Sequence, residues 1–472
     1  MSTSSRRTAV ATTCLLLLGC SSRETRAAPA DAGPVADARM DDEAAPAPRD
    51  AGLRTWPDAG APEERETVDA SVLDAGSDED EVNRSMELAP PCERPEPDPA
   101  LAVAGPASFL GGGFPIGDAR LLHAVVADDA HDRAEILHSA QGGGDDGPVR
   151  WRVARVGASG ELESTAVVDD FPTEYPSHGG AVRARDGSLL IAWRGVRPRM
   201  LGSDAFVGLL DANGALLDGP TMHGSAVPHA IAASSPQVLG DGTEVLVSWM
   251  SDGIVASAIG RPGRLVVPTP VAPGWASRAH ALDADRFVVS WSDPNEAGHV
   301  RTRVAIASLD GGAVQRTLFS DGDYTTRDAA VAVYDGDVWV ARFERRHASL
   351  AESVIRVAHL DERLARVERD RWLGGWGGTA PQSLELVVFE GRLWLVWVAN
   401  DLRYGLSVVV HASPVPSPAC GRDVGAAVIE LPRSWATPVD LRAGASRDRI
   451  WVAVGSPWPT NEANAYALTP VE

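Results

Sequence analysis

Residues 275–293 read WASRAHALDADRFVVSWSD. An aromatic residue opens the stretch. A short polar step, an apolar run, an Asp-centred turn and a second apolar run ending in Trp291 follow. The same order recurs along the chain. "AVRARDGSLLIAW" ends at Trp193, "PQVLGDGTEVLVSW" at Trp249, "AVAVYDGDVWVARF" at Phe343, "LELVVFEGRLWLVW" at Trp397 and "LRAGASRDRIWVAV" at Val454. A weaker first copy, "LLHAVVADDAHDRAEILHSA", ends at Ala140, which makes seven copies, mostly 50–57 residues apart with one step of 42.

Each copy predicts a β-hairpin. Asp186-Gly187, Asp241-Gly242, Asp335-Gly336 and Glu390-Gly391 suit two-residue turns that need positive φ. After most hairpins a second strand pair follows, as in "VAIASLDGGAVQRTLF", so a unit holds about four strands. The strands that end in Trp are apolar at consecutive positions, which means both faces are covered. Four-stranded sheets of that kind must stack on one another, and radial stacking leaves only short edges. The expected fold is all-β: a seven-bladed β-propeller of four-stranded antiparallel blades over 101–472. The last copy stops after its third strand, so "LAVAGPASFL" (101–110) is expected to supply the missing outer strand. In the segment 343–372 the repeat register predicts strands at 353–360 and 364–371. Its composition suits a helix, and the alternative is a helix inserted there.

The first hundred residues differ in kind. Arg6 and Arg7 precede a short apolar run, Thr8 to Leu18, and then Leu17-Leu18-Gly19-Cys20. This resembles the signal peptide and lipobox of bacterial lipoproteins. The resemblance implies a cleaved segment 1–19, a lipidated Cys20 and attachment to the cell envelope through lipid. Ser21 in place of Asp implies the outer membrane. Several acyl chains on one residue give a stable anchor. The alternative is an ordinary cleaved signal in which the Cys is incidental. Residues 21–100 hold 21 acidic and 8 basic residues, a net of −13, with "DAG" at 31–33, 50–52, 58–60 and 74–76. Such a composition does not bury enough apolar surface to offset its ordering entropy. Residues 20–100 are therefore expected to be a disordered spacer, on the order of 50 Å long. Cys92 and Cys420 are expected to pair in an oxidising compartment. Two unrelated thiols are the alternative.

The formal charge of −22 argues against a nucleic-acid partner, which needs a basic face. All 43 basic residues are Arg, so Schiff-base and P-loop lysines are excluded. As a whole the chain is similar to lipid-anchored β-propeller proteins of GC-rich Gram-negative bacteria. It lacks the Trp-Asp, kelch and sialidase repeat signatures, so functions of those families do not carry over.

The segments leading into the first strand of each copy repeat as well: "YPSH" (175–178), "WASR" (275–278), "YTTR" (324–327), "WATP" (435–438) and a looser "WGGTAPQ" (376–382). In propellers these segments sit on the face that usually carries the binding site. His178, Arg278, Arg327 and Gln382 are candidate binding residues at the channel mouth. Tyr175, Trp275, Tyr324, Trp376 and Trp435 flank them. Flat rings beside charged or amide groups suit sugars, peptides or anions. Aromatics at a fixed repeat position also serve as wedges between blades, which is the competing assignment. His131 and His138 bracket one hairpin and are expected at the surface. Asp321, Asp323 and Asp328 read as solvated turn acids rather than a calcium loop. No catalytic motif stands out, and no cofactor or metal is implied. The sequence favours a non-catalytic binding or scaffold module for a protein, peptide or glycan. The alternative is a carbohydrate-active hydrolase or lyase working from the mouth.

Overall fold

The computed structural model describes residues 100–110, 122–141, 149–168, 175–183, 187–196, 203–211, 215–222, 232–239, 244–251, 254–260, 269–273, 275–283, 286–294, 300–308, 313–318, 324–346, 353–368, 370–374, 383–401, 407–415, 427–431, 440–456 and 462–471. Contacts divide the chain into two units, Met1–Val72 and Leu73–Glu472, and the described residues belong to the second. Cys20, Cys92 and Cys420, and with them the lipidation and pairing expected there, lie outside the described residues.

Among the described residues the strands form seven four-stranded sheets. Sheet one is β2 (Leu122–Asp128), β3 (Arg133–Gln141), β4 (Val149–Gly157) and β5 (Leu162–Val168). Sheet two is β6 (Tyr175–Arg183), β7 (Leu189–Val196), β8 (Ser203–Leu210) and β9 (Leu216–Met222). Sheet three is β10 (Ala232–Leu239), β11 (Glu244–Ser251), β12 (Ile254–Gly260) and β13 (Thr269–Pro273). Sheet four is β14 (Trp275–Ala281), β15 (Arg286–Pro294), β16 (Val300–Ser308) and β17 (Ala313–Leu318). Sheet five is β18 (Tyr324–Tyr334), β19 (Asp337–Arg346), β20 (Ser353–Leu360) and β21 (Arg371–Gly374). Sheet six is β22 (Ser383–Phe389), β23 (Arg392–Asp401), β24 (Ser407–Pro414) and β25 (Ala427–Glu430). Sheet seven combines β26 (Asp440–Ala445), β27 (Ile450–Ser456) and β28 (Glu462–Pro470) with β1 (Leu101–Leu110) from the far end of the chain.

The first strand of each sheet touches the first strand of the next, and β26 touches β2, so the inner strands run round a circle. This is the arrangement of a β-propeller. The packing shows why consecutive positions are apolar. Along β23, Leu393, Leu395, Trp397 and Ala399 enter a core shared with sheet five. Trp394, Val396 and Val398 enter a core shared with sheet seven. One strand thus serves two cores. β27 does the same, with every residue from Ile450 to Ser456 buried. Each large apolar side chain so covered contributes roughly 1.5–3 kcal/mol.

The hairpin turns behave as their residues dictate. Asp335 and Gly336 have φ of 55° and 83°, and Glu390 and Gly391 have 49° and 64°. These are the paired positive values of a type I′ turn, whose twist matches that of the flanking strands.

β1 is the outer strand of sheet seven, antiparallel to β28, with Leu101 opposite Pro470 and Leu110 opposite Glu462. Ser108 Oγ donates to Asn464 Oδ1 at 2.7 Å, and Val471 N donates to Ala100 O at 2.9 Å.

Two expectations need correction. Residues 364–368 do not form a strand; Arg366 alone makes an isolated bridge to Leu360. Asp361 Oδ1 accepts from Arg363 N and Ala365 N at 2.8 and 2.7 Å, closing a turn in which Leu364 takes a φ of 61° and plugs the core between sheets four and five. The fourth strand is the short β21, and 353–360 is β20, not helix. His138 is not at the surface. It lies on β3, where both faces are covered, and it is fully buried. His131, by contrast, is exposed in the turn beside Asp128. No helix of the described residues is long and apolar enough to cross a membrane.

Candidate functional site

The inner strands start at one end of the circle, and their first residues carry most of the predicted site. Tyr175, Trp275 and Tyr324 each open a first strand, opposite Val196, Ser292 and Arg346 respectively. His178, Arg278 and Arg327 follow within the same strands, β6, β14 and β18. Gln382, Trp376 and Trp435 lie outside the described residues, as do Asp321 and Asp323.

Hydrogen-bond register separates residues that sequence spacing had equated. Five of the first strands carry one extra residue. It is His123 in β2, His178 in β6 and Ala276 in β14. In β10 the irregularity lies between Ser234 and Gln237, and in β18 between Thr326 and Ala329. β22 and β26 are regular. A bulge re-aims side chains and increases the local twist. His178 and Arg327 therefore belong to the bulges themselves, whereas Arg278 lies beyond its bulge, one level deeper, opposite Ser290.

That deeper level is occupied by residues the sequence reading passed over. Glu385 on β22 lies opposite Val396, and Arg442 on β26 lies opposite Ala453. Each follows the residue paired with the end of its copy, Trp397 or Val454, as Arg278 follows the partner of Trp291. Arg442 joins three sheets. Its Nη1 donates to Glu385 Oε1 at 3.2 Å and to Leu441 O at 2.7 Å, and its Nε donates to His123 O at 3.1 Å. Both charged side chains are only about a ninth exposed, 11% and 12%. A pair so desolvated holds its geometry because each charge depends on the other. Close approach of the strands helps. A Cβ on Gly444 would lie 2.6 Å from Val125 O, so only glycine lets β26 come so near to β2. The searchable signal was present: Glu385 and Arg442 occupy the same place within their copies.

His123 is buried beside Trp151, ring centroids 4.1 Å apart, with Nε2 3.3 Å from Ser139 Oγ. His138 is held neutral, its pKa pulled down to about 3 by burial and then by the nearby Arg152.

Two further charged clusters staple the sheets. At the far end of the first strands, Asp128 and Glu135 of sheet one meet Arg183 of sheet two, with Glu135 Oε2 2.5 Å from Arg183 Nη2. Arg133 and Arg155 complete the cluster. Burial opposes ionisation of Asp128. The His131 hydrogen bond and the Arg183, His131 and Arg133 charges overcome it and leave the pKa low. Within sheet five, the fully buried Arg342 donates to Glu344 Oε1 and Asp370 Oδ2, both at 2.6 Å. Burial opposes the Arg342 charge, but the Asp370 and Glu344 carboxylates raise its pKa overall. Among the described residues no group of three or more His, Cys, Asp or Glu is placed to hold a metal ion.

No family model and no curated protein sequence matches the chain. Solved structures similar to it include a protein of unknown function from Dyadobacter fermentans, 12% identical, TM-score 0.43, covering 78% of this chain and 99% of that one. The polysaccharide lyase Uly1 is 7% identical, TM-score 0.47, covering 77% and 92%. The β-propeller domain of Myceliophteria thermophila Cps50 is 10% identical, TM-score 0.42, covering 77% and 100%.

Proposed function

We propose that the seven sheets are the blades of one closed propeller, held at the cell envelope by a lipidated Cys20 and an acidic spacer, and that its mouth binds a protein, peptide or glycan without transforming it. One observation carries the binding reading. Three inner strands begin with an aromatic residue and bring His178, Arg278 or Arg327 within a few residues of it, at the same end of the circle. Aromatic faces beside cations and imidazoles suit a polar ligand that is stacked and hydrogen-bonded at once. The anchoring part of the reading is supported by the sequence LLLLGC at 15–20.

Binding of the full-length protein to a glycan and peptide array, beside the Arg278→Ala plus Arg327→Ala double variant, tests the mouth. The expected result is a ligand retained by the wild type and lost by the double variant. Unchanged binding removes these residues from the site, and cleavage of a captured glycan replaces the binding reading with a hydrolase or lyase.

A further inference from the structure

We infer that His359 is a proton-controlled fastener: its doubly protonated ring holds the segment 361–368 onto sheet five, and loss of one proton lets that segment loosen. The inference is independent of the mouth. It concerns how sheet five grips sheet four at the end away from the strand starts, and it follows from what the two ring nitrogens face.

His359 is the penultimate residue of β20, directly opposite Trp339 of β19. The two rings stack, with centroids 3.9 Å apart and planes 12° apart. His359 Nε2 lies 2.7 Å from Asp337 Oδ2, and Nδ1 lies 3.2 Å from Glu368 Oε1. A neutral imidazole carries one N–H and one lone pair, so only the imidazolium donates from both nitrogens. The charged ring alone therefore satisfies both carboxylates. The Trp339 face favours the same form, because an aromatic face attracts a cation.

The remaining neighbours set the balance. Arg371 of β21 lies over Trp339, 4.7 Å from its centroid, and donates to Glu368 Oε1 from Nε at 2.8 Å. Its charge opposes that of the ring, and the two carboxylates offset it. Tyr334 of β18 leans on Trp339 and donates its hydroxyl to Gly391 O. Sheet six contributes the apolar Leu386, Leu393 and Leu395 to this core. Arg342 and Glu344 alternate with Ala341 and Phe343 along β19 and so face the other side of the sheet.

The fastened segment reaches across to sheet four. Leu364 enters the core shared with that sheet, and Glu362 meets Arg286 of β15 at 3.2 Å. That exposed pair is a weak tie. Val367 N donates to His359 O at 3.0 Å, and Asp370 is bonded to Arg342, so the chain beyond 368 stays put. When the ring is neutral, its N–H stays with the nearer Asp337. A lone pair then faces Glu368 Oε1, acceptor against acceptor, and Leu364 is seated less firmly. The segment is held on the acid side and loosens as pH rises.

The test is hydrogen–deuterium exchange of the full-length protein between about pH 5.5 and 8, the range in which imidazoles titrate. Rates are corrected for intrinsic exchange at each pH, with β27 as the internal reference. Protection of the 363–367 amides is expected to fall about tenfold across that range, the size of one charge-assisted hydrogen bond to a locally opening segment, while β27 is unchanged. His359→Phe keeps a ring on Trp339 but removes both donors, so the segment is expected to be weakly protected at every pH. Glu368→Gln offers an amide N–H to the lone pair of the neutral ring and is expected to remove the pH dependence as well. Constant protection in the wild type, or a wild-type pH dependence retained in either variant, overturns the inference. If His359→Phe also loses protection at β27, it has unfolded, and the response of Glu368→Gln decides.

Discussion

On the arc formed by β22, β26 and β2, the third register level of the first strands holds Glu385 and Arg442, bonded to each other, with Arg442 also bonded to the backbone of His123. On the arc formed by β10, β14 and β18, the same level holds Ser234 and Arg278. The first arc is where the circle closes, since β26 belongs to the sheet completed by β1. Its polar groups satisfy one another and hold the join. The second arc is built inside a continuous run of chain. The same register position therefore carries a bonded acid–base pair on one arc, and a serine followed by an arginine on the other.

The strongest way to break the contrast is to remove the completing strand. Deleting residues 101–110 strips sheet seven to three strands and uncovers β28. The melting temperature should fall by on the order of 10 °C or more, measured by circular dichroism. A variant that melts like the wild type would show that closure does not depend on β1.

Next in size is the clasp itself. Glu385→Ala leaves the Arg442 charge desolvated without its carboxylate, at a cost of about 3 kcal/mol in urea denaturation. Adding Arg442→Met to it should recover much of that loss. Ser234→Ala on the other arc should cost far less, and equal costs would erase the distinction between the arcs.

The smallest effect sharpens the closing arc through pH. His138 in sheet one has a folded pKa near 3 against an ordinary 6.5, so the folded state binds fewer protons between those values. Its contribution is intact above pH 6.5 and is lost progressively as pH falls toward 3, roughly 2 kcal/mol by pH 5. Urea midpoints of the wild type between pH 5 and 7 should fall with acidity more steeply than those of His138→Leu. Parallel curves would mean that the imidazole does not contribute.

The sequence made the repeat legible because burial on both faces leaves an unmistakable mark. Runs such as IWVAV and LWLVWVA have no polar alternation to mistake for a one-sided sheet. The Asp-Gly and Glu-Gly turns and the completing strand 101–110 could be read for similarly direct reasons. Three features could not. The bulges at His123 and His178 are set by which backbone groups pair, and neither histidine announces that its neighbours have slipped by one. Arg278 was aligned with His178 and Arg327 by spacing alone, and the bulges moved it a level deeper. Leu364 looked like a strand residue because it is apolar and buried, but it reaches the core from a turn that Asp361 organises.

The pairing of β1 with β28 has a mechanical consequence. Traction on the chain before Leu101 meets first the eight facing residue pairs that run from Leu101–Pro470 to Leu110–Glu462. Parting them would unhook one seam and bare one margin, while β2–β5 keep all their own partners. Under tension the body has a designated place to yield, a fuse that gives way before the rest of the wheel is strained.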